Sequence, residues 1–103
     1  MKEALTLLGL AYRARRVEAG EQPVQRALGE RRAVLCLTAA DCADNTARRV
    51  AGWAQATGVE LIKTEFTKEE LGGAIGRATC AMLTLTDRGF ADGFLKKIKQ
   101  GAV

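Results

Sequence analysis

The sequence has no histidine, one proline, five aromatic residues and three cysteines among its 103 residues. Without imidazole there is no Ser-His-Asp or Cys-His nucleophile system, no His-containing zinc site, and no side chain that ordinarily titrates near neutrality. Cys36, Cys42 and Cys80 are an odd number with no Cys-x-x-Cys pair. That argues against a secreted disulfide framework and a four-cysteine zinc site, and for free thiols in a reducing compartment. No stretch reaches the roughly 20 apolar residues needed to cross a bilayer. The N-terminal apolar stretch is short and runs directly into Arg13, Arg15 and Arg16, unlike a cleavable leader. The expectation is a soluble cytoplasmic protein with no membrane partner, no small-molecule substrate, no metal and no cofactor.

What is present fits one domain over residues 1–103, since a chain of this size buries roughly 60–70% of its unfolded surface without needing staples. Leu5, Leu8 and Tyr12 recur at helical spacing, with Leu7 and Leu10 widening the stripe, which predicts a helix over 2–15. A brief extended link, Val17–Ala19, ends at Gly20. Pro23 then opens a second helix carrying Val24, Ala27 and Leu28 on one side. Continuous apolar runs at 33–39 and 80–86 predict inner strands covered on both faces. The span 59–66, with Lys63 and Glu65, predicts a more exposed strand.

Between these lie a helix from the cap-rich turn at 40–45 to Thr57, stopped by Gly58, and a short helix opened by the capping box Thr67-Lys68-Glu69-Glu70. Asp87 caps a final helix through Phe90, Phe94 and Ile98. This alternation predicts a three-layer α/β/α sandwich around a mixed sheet of about four strands.

The candidate chemistry is sparse. The stretch 72–76 is glycine-rich but lacks the strand-loop-helix setting of a phosphate loop. Asp41, Asp44, Asp87 and Asp92 lie at or just after helix starts, where capping and dipole complementarity account for them. Cys42 precedes a helix, where the dipole lowers a thiol pKa, so a thiol-based regulator is one alternative reading.

The 16 basic and 12 acidic residues are spread unevenly. Residues 1–32 carry seven basic and four acidic residues, residues 33–66 three and four, and residues 67–103 six and four. The positive field belongs to the two ends, which suits a polyanion. All five aromatics fit inward-facing stripes, leaving no stacking platform for single-stranded RNA; an RNA partner is then a shaped, structured element. The best candidate surface is 15–26, where Gly20 permits close backbone approach and a helix start presents free N–H groups. Gln22 and Arg26 share one face of that helix.

Several blocks together resemble a known family. They are Leu7-Leu8-Gly9-Leu10-Ala11, Gly20 with Arg26-Ala27, Thr38-Ala39-Ala40-Asp41, Asn45-Thr46, Glu70-Leu71-Gly72 with Ala74-Ile75-Gly76, and Thr86-Asp87 with Gly89-Phe90-Ala91. In order and spacing they resemble the L-seven-Ae ribosomal protein family, bacterial YlxQ-like branch. The resemblance implies a small α/β/α sandwich, not an enzyme, that binds kink-turn RNA and is linked to the ribosome or translation. It also implies a contact segment at the start of the second helix, set against sheared G·A pairs. There Gly20 matches the family, Glu21, Gln22 and Pro23 replace its threonine, asparagine and glutamate, and Arg26 replaces its lysine. A second implied contact is the loop Arg77-Ala78-Thr79, close to bases extruded from the kink, and Arg16 is expected on phosphate. Glu21 and Pro23 leave open a second alternative, a protein-interaction module of the same fold.

Overall fold

The computed structural model describes residues 2–101. Its elements are α1 (Lys2–Arg13), β1 (Val17–Ala19), α2 (Glu21–Gly29), β2 (Leu35–Thr38), α3 (Asp44–Thr57), β3 (Leu61–Lys63), α4 (Lys68–Ala74), β4 (Met82–Leu85) and α5 (Arg88–Gly101). The strands form one mixed sheet in the order β1-β4-β2-β3. The β1–β4 and β4–β2 pairs are antiparallel and the β2–β3 pair is parallel.

The two inner strands sort their side chains by the period of two that a pleat imposes. Leu35 and Leu37 of β2, with Leu83 and Leu85 of β4, face a core that also holds Leu8 of α1, Leu71 of α4 and Phe94 of α5. Cys36 and Met82 face the other side, where Val24, Ala27 and Leu28 of α2 meet Val50 of α3. Helices therefore cover both faces, giving the three-layer sandwich. Each fully buried Leu or Phe contributes about 1.5–3 kcal/mol relative to exposure. Cys36, enclosed in the smaller core, has its thiol pushed up to about 12 by burial, so it stays neutral.

The strands are shorter than the apolar runs, and the first residue of each run is tied to a helix rather than to the sheet. Ala33 N–H donates to Ala27 of α2 (3.3 Å), and Cys80 N–H donates to Lys68 of α4 (2.9 Å). In the third run Thr64 closes the ladder, its N–H (2.9 Å) and hydroxyl (2.8 Å) both donating to the Thr38 carbonyl. Helix α2 begins at Glu21, two residues before Pro23. Proline is accommodated there because the first-turn N–H groups have no intrahelical partner. The stripe on α1 is narrower than its composition implies: Leu8 is buried, Leu7 is half-buried and Leu10 is exposed.

The first four helices end in the same way, with paired bonds around a left-handed residue. In α1, Arg15 N–H reaches Tyr12 O (2.9 Å) and Arg16 N–H reaches Ala11 O (2.8 Å). In α2, Arg31 and Arg32 reach Leu28 (3.1 Å) and Ala27 (2.9 Å). The left-handed positions hold Arg15 (φ 61°), Arg31 (φ 60°), Gly58 (φ 71°) and Gly76 (φ 78°). An arginine there carries a Cβ clash of about 1 kcal/mol that glycine lacks. Arg31→Gly is accordingly expected to stabilise the fold by about 1 kcal/mol, read as a higher urea midpoint at unchanged m-value. A lower midpoint would show that the arginine side chain contributes more than its backbone costs.

Candidate nucleic-acid interface

The C-terminal ends of β1, β2 and β3 and the N-terminal end of β4 meet along one rim. Ala19 pairs with Leu83, Thr38 with Met82, and Thr38 with Lys63. The β1–α2, β2–α3, β3–α4 and α4–β4 connections therefore share this side, which brings the turn at Gly20 and the loop 77–79 to one rim. The direct link is Arg77, whose Nη1 donates to the Ala19 carbonyl at 3.3 Å. Its guanidinium lies over the Tyr12 ring, 5.9 Å from the centroid, a cation–π arrangement worth roughly 0.5–1 kcal/mol.

Each contributing segment is held by a specific backbone constraint. Gly20 has φ 102° and ψ 165°, a region that costs other residues about 1–3 kcal/mol. Its N–H donates to Met82 O (3.1 Å) while its carbonyl accepts from Val24 N–H (3.0 Å), joining the sheet to α2 within one residue. The 77–79 loop lies directly on α4. A Cβ built on Gly72 would stand 2.7 Å from the Thr79 Cα and 2.8 Å from the Arg77 carbonyl oxygen. Both are backbone atoms, so neither can step aside as a flexible side chain would.

Gln22 and Arg26 are both exposed, one turn apart on α2. Glu21 accepts from Arg49 Nη2 of α3 at 2.8 Å, which cancels its charge next to the helix start. Arg16 stands elsewhere. Its carbonyl accepts from Thr86 N–H (2.9 Å) at the opposite end of β1, roughly 13 Å along the strand from Gly20. Arg26 lies well along α2, roughly 9 Å from Gly20 by helical rise.

The open edge of β1 forms the floor of a cleft of about 440 Å³. Tyr12, Arg13 and Arg15 from the end of α1 line it together with Glu18 and Arg77. Tyr12 packs against the core as its place in the α1 stripe implies, but it is half-buried and also borders the cleft. Trp53 and Phe90 are also half-buried, and only Phe66 and Phe94 are fully interior. Arg15 opens the candidate surface 15–26, whereas Arg13 lies outside it, and the clue available for Arg13 is its position just after the α1 stripe ends.

Two further expectations change. Among the aspartates, Asp87 caps α5 as predicted, accepting from Phe90 N–H at 3.0 Å. Asp41 instead serves α4, accepting from Lys68 N–H at 2.8 Å across the rim, and α3 has Ala43 at its N-cap with no side-chain cap. The Cys42 thiol is half-buried, its Sγ directed at the Ala43 carbonyl (3.7 Å). Burial pushes its pKa up, outweighing the lowering by Lys68, so the thiolate that a reactive cysteine needs is disfavoured. Among the described residues, no group of three or more His, Cys, Asp or Glu is placed to hold a metal ion, and no helix is long and apolar enough to cross a membrane.

Fold and rim together define a small α/β/α sandwich with arginines gathered along one edge of a mixed sheet. The chain belongs to the Ribosomal protein L7Ae/L30e/S12e/Gadd45 family, whose sequence profile matches residues 2–94. It is 38% identical over 90 residues to the RNA-binding protein YlxQ of Bacillus subtilis (strain 168), covering 87% of this chain and 89% of that one. A solved structure described as a protein with unknown function from Bacillus halodurans superposes with a TM-score of 0.86. That match has 27% identity and covers 93% of this chain and 96% of that one.

Gly72→Ala is expected to destabilise the fold by about 1–3 kcal/mol and to displace the 77–79 loop, read as amide shifts concentrated at 77–79 and 19–20. Shifts absent from 77–79 would show that the loop tolerates the Cβ. At pH 8, Cys42 is expected to react with a disulfide reagent more slowly than free cysteine, the rate rising as pH passes its ordinary value of 9.0. Rapid reaction at pH 7 would restore the thiol-regulator reading.

Proposed function

We propose that the protein binds structured RNA, of the kink-turn or a similar G·A-containing internal-loop type, and acts in the cytoplasm in connection with the ribosome or translation. It does so as a binding protein without catalysis. One observation carries the reading: the Arg77 bond to Ala19 sets the α4–β4 loop against the Gly20 turn, and these are the two segments the family resemblance implies. Family membership and the RNA-binding name of the Bacillus subtilis relative add support.

In this reading Gly20 lets an RNA edge approach the backbone, and the Gln22 amide donates to and accepts from base edges. Arg26 supplies the cation of the contact segment. Arg77, Ala78 and Thr79 face bases extruded from the kink, and Arg16 reaches a phosphate farther along the duplex. Glu21, held by Arg49, presents a neutralised carboxylate where the family has threonine. The exposed amide and guanidinium suit base edges and phosphates that carry many acceptors.

Electrophoretic titration of a kink-turn duplex against the same duplex with its G·A pairs replaced tests the specificity, and equal binding to both removes it. Arg26→Ala is expected to weaken the kink-turn complex by about tenfold. Pull-down from lysate with and without nuclease addresses the other role of the fold, since complexes that persist after RNA removal would identify a protein-interaction module.

A further inference from the structure

The clearest unassigned feature is the charge balance of the β1 cleft. Its one carboxylate, Glu18, accepts from Arg32 Nη1 at 3.0 Å, and Arg32 does not line the cleft. The nearby Glu21 is likewise held by Arg49 at 2.8 Å. Arg32 also donates to Glu30 at 2.9 Å, so Glu18 is paired only in part, whereas Glu21 has a guanidinium of its own; both partners come from outside the cleft. Arg13 and Arg15 make no ion pair among the described residues, and Arg77 is bonded to a neutral carbonyl. Three guanidinium charges are left uncompensated around one concavity, with an aromatic ring among them.

The strand edge adds backbone donors. Gly20 N–H and the Arg16 carbonyl point to β4, so by antiparallel alternation the Val17 and Ala19 backbone groups point outward to the cleft. A further β-strand is a poor occupant. The edge is only three residues long, the left-handed Arg15 turn precedes it, the Gly20 turn follows it, and Arg77 already occupies the Ala19 carbonyl. Uncompensated guanidiniums, free N–H groups and a ring edge suit a sugar-phosphate chain better than a peptide.

We propose that this cleft binds the backbone of an RNA strand continuing past the start of α2, with Arg13 and Arg15 on successive phosphates and the edge of the Tyr12 ring, whose face Arg77 covers, against a ribose. The proposal rests on the RNA-binding reading and extends it to a surface that is independent of sequence. It therefore makes a different demand from the G·A contact. Losing cleft arginines lowers affinity for every duplex equally, whereas losing Arg26 lowers discrimination between them.

The test is the variant Arg13→Gln with Arg15→Gly, the second change suiting the left-handed backbone so that the fold is retained. Arg31→Gly, the same backbone change away from the cleft, is the control, and thermal melts verify folding of both. The cleft variant is expected to bind the kink-turn and G·A-replaced duplexes each roughly tenfold more weakly, with the salt slope of log K reduced by about 2. The control is expected to match wild type. Wild-type protein that binds no RNA would overturn both readings. Wild-type binding with an unchanged slope in the cleft variant would overturn only this one, as would loss of discrimination without a change in slope. Tighter retention of an acidic peptide than of either RNA would reassign the cleft to a protein ligand.

Discussion

Enclosure of β4 between β1 and β2, with a helical layer over each face, is the constraint on which the rest of the molecule depends. Four residues, Met82–Leu85, are buried on both sides and hydrogen-bonded along both edges. Every backbone group there must be paired because water cannot reach it. β1 has no stable position without β4, and the cleft has no floor without β1. Arg77, five residues before β4, is carried to its place over Tyr12 by the same docking. The stability of the sheet and the shape of the rim are thus two results of one burial.

The second organising effect is selective charge pairing. Surface ion pairs contribute little stability, typically 0–1 kcal/mol, and the pairs from Arg32 to Glu18 and from Arg49 to Glu21 are no exception, with side chains about 36–48% exposed. Their effect is on the field. A net charge of +4 spread evenly over a chain of this size would steer a polyanion weakly. Pairing Glu21 with Arg49, and Glu18 with an Arg32 that it shares with Glu30, leaves Arg13, Arg15 and Arg77 as cleft charges without an ion pair among the described residues.

Much of the architecture was legible in the sequence because it follows from local periodicity. Continuous apolar runs gave the two inner strands, Lys63 and Glu65 gave the outer one, and Thr67 with Glu70 forms the reciprocal cap that its spacing implies. Where the chain stops an element was less legible. Gly58 and Gly76 were visible as helix ends, but Arg15 and Arg31 adopt the same left-handed geometry, and nothing in an arginine announces it. The site divides in the same way. Gly20, Arg15 and the 77–79 loop could be named from blocks of sequence as candidates, whereas Tyr12 and Arg13 join them only through the pairing of β1 with β4. Asp41 was recognisable as a capping residue but not as a cap for a helix 27 residues away.

The bond from Arg77 to Ala19 spans 58 positions of the chain, and the β1–β4 ladder spans more. Such distant pairings are slow to form because loop closure precedes any reward from contact. The rim is consequently a late product of folding. During synthesis the chain emerges with α1, Gly20 and α2 long before β4 leaves the ribosome, and in that interval its arginines exist without the surface that arranges them. The arginines of α1 and of the turn after it are thus made well before the strand that arranges them.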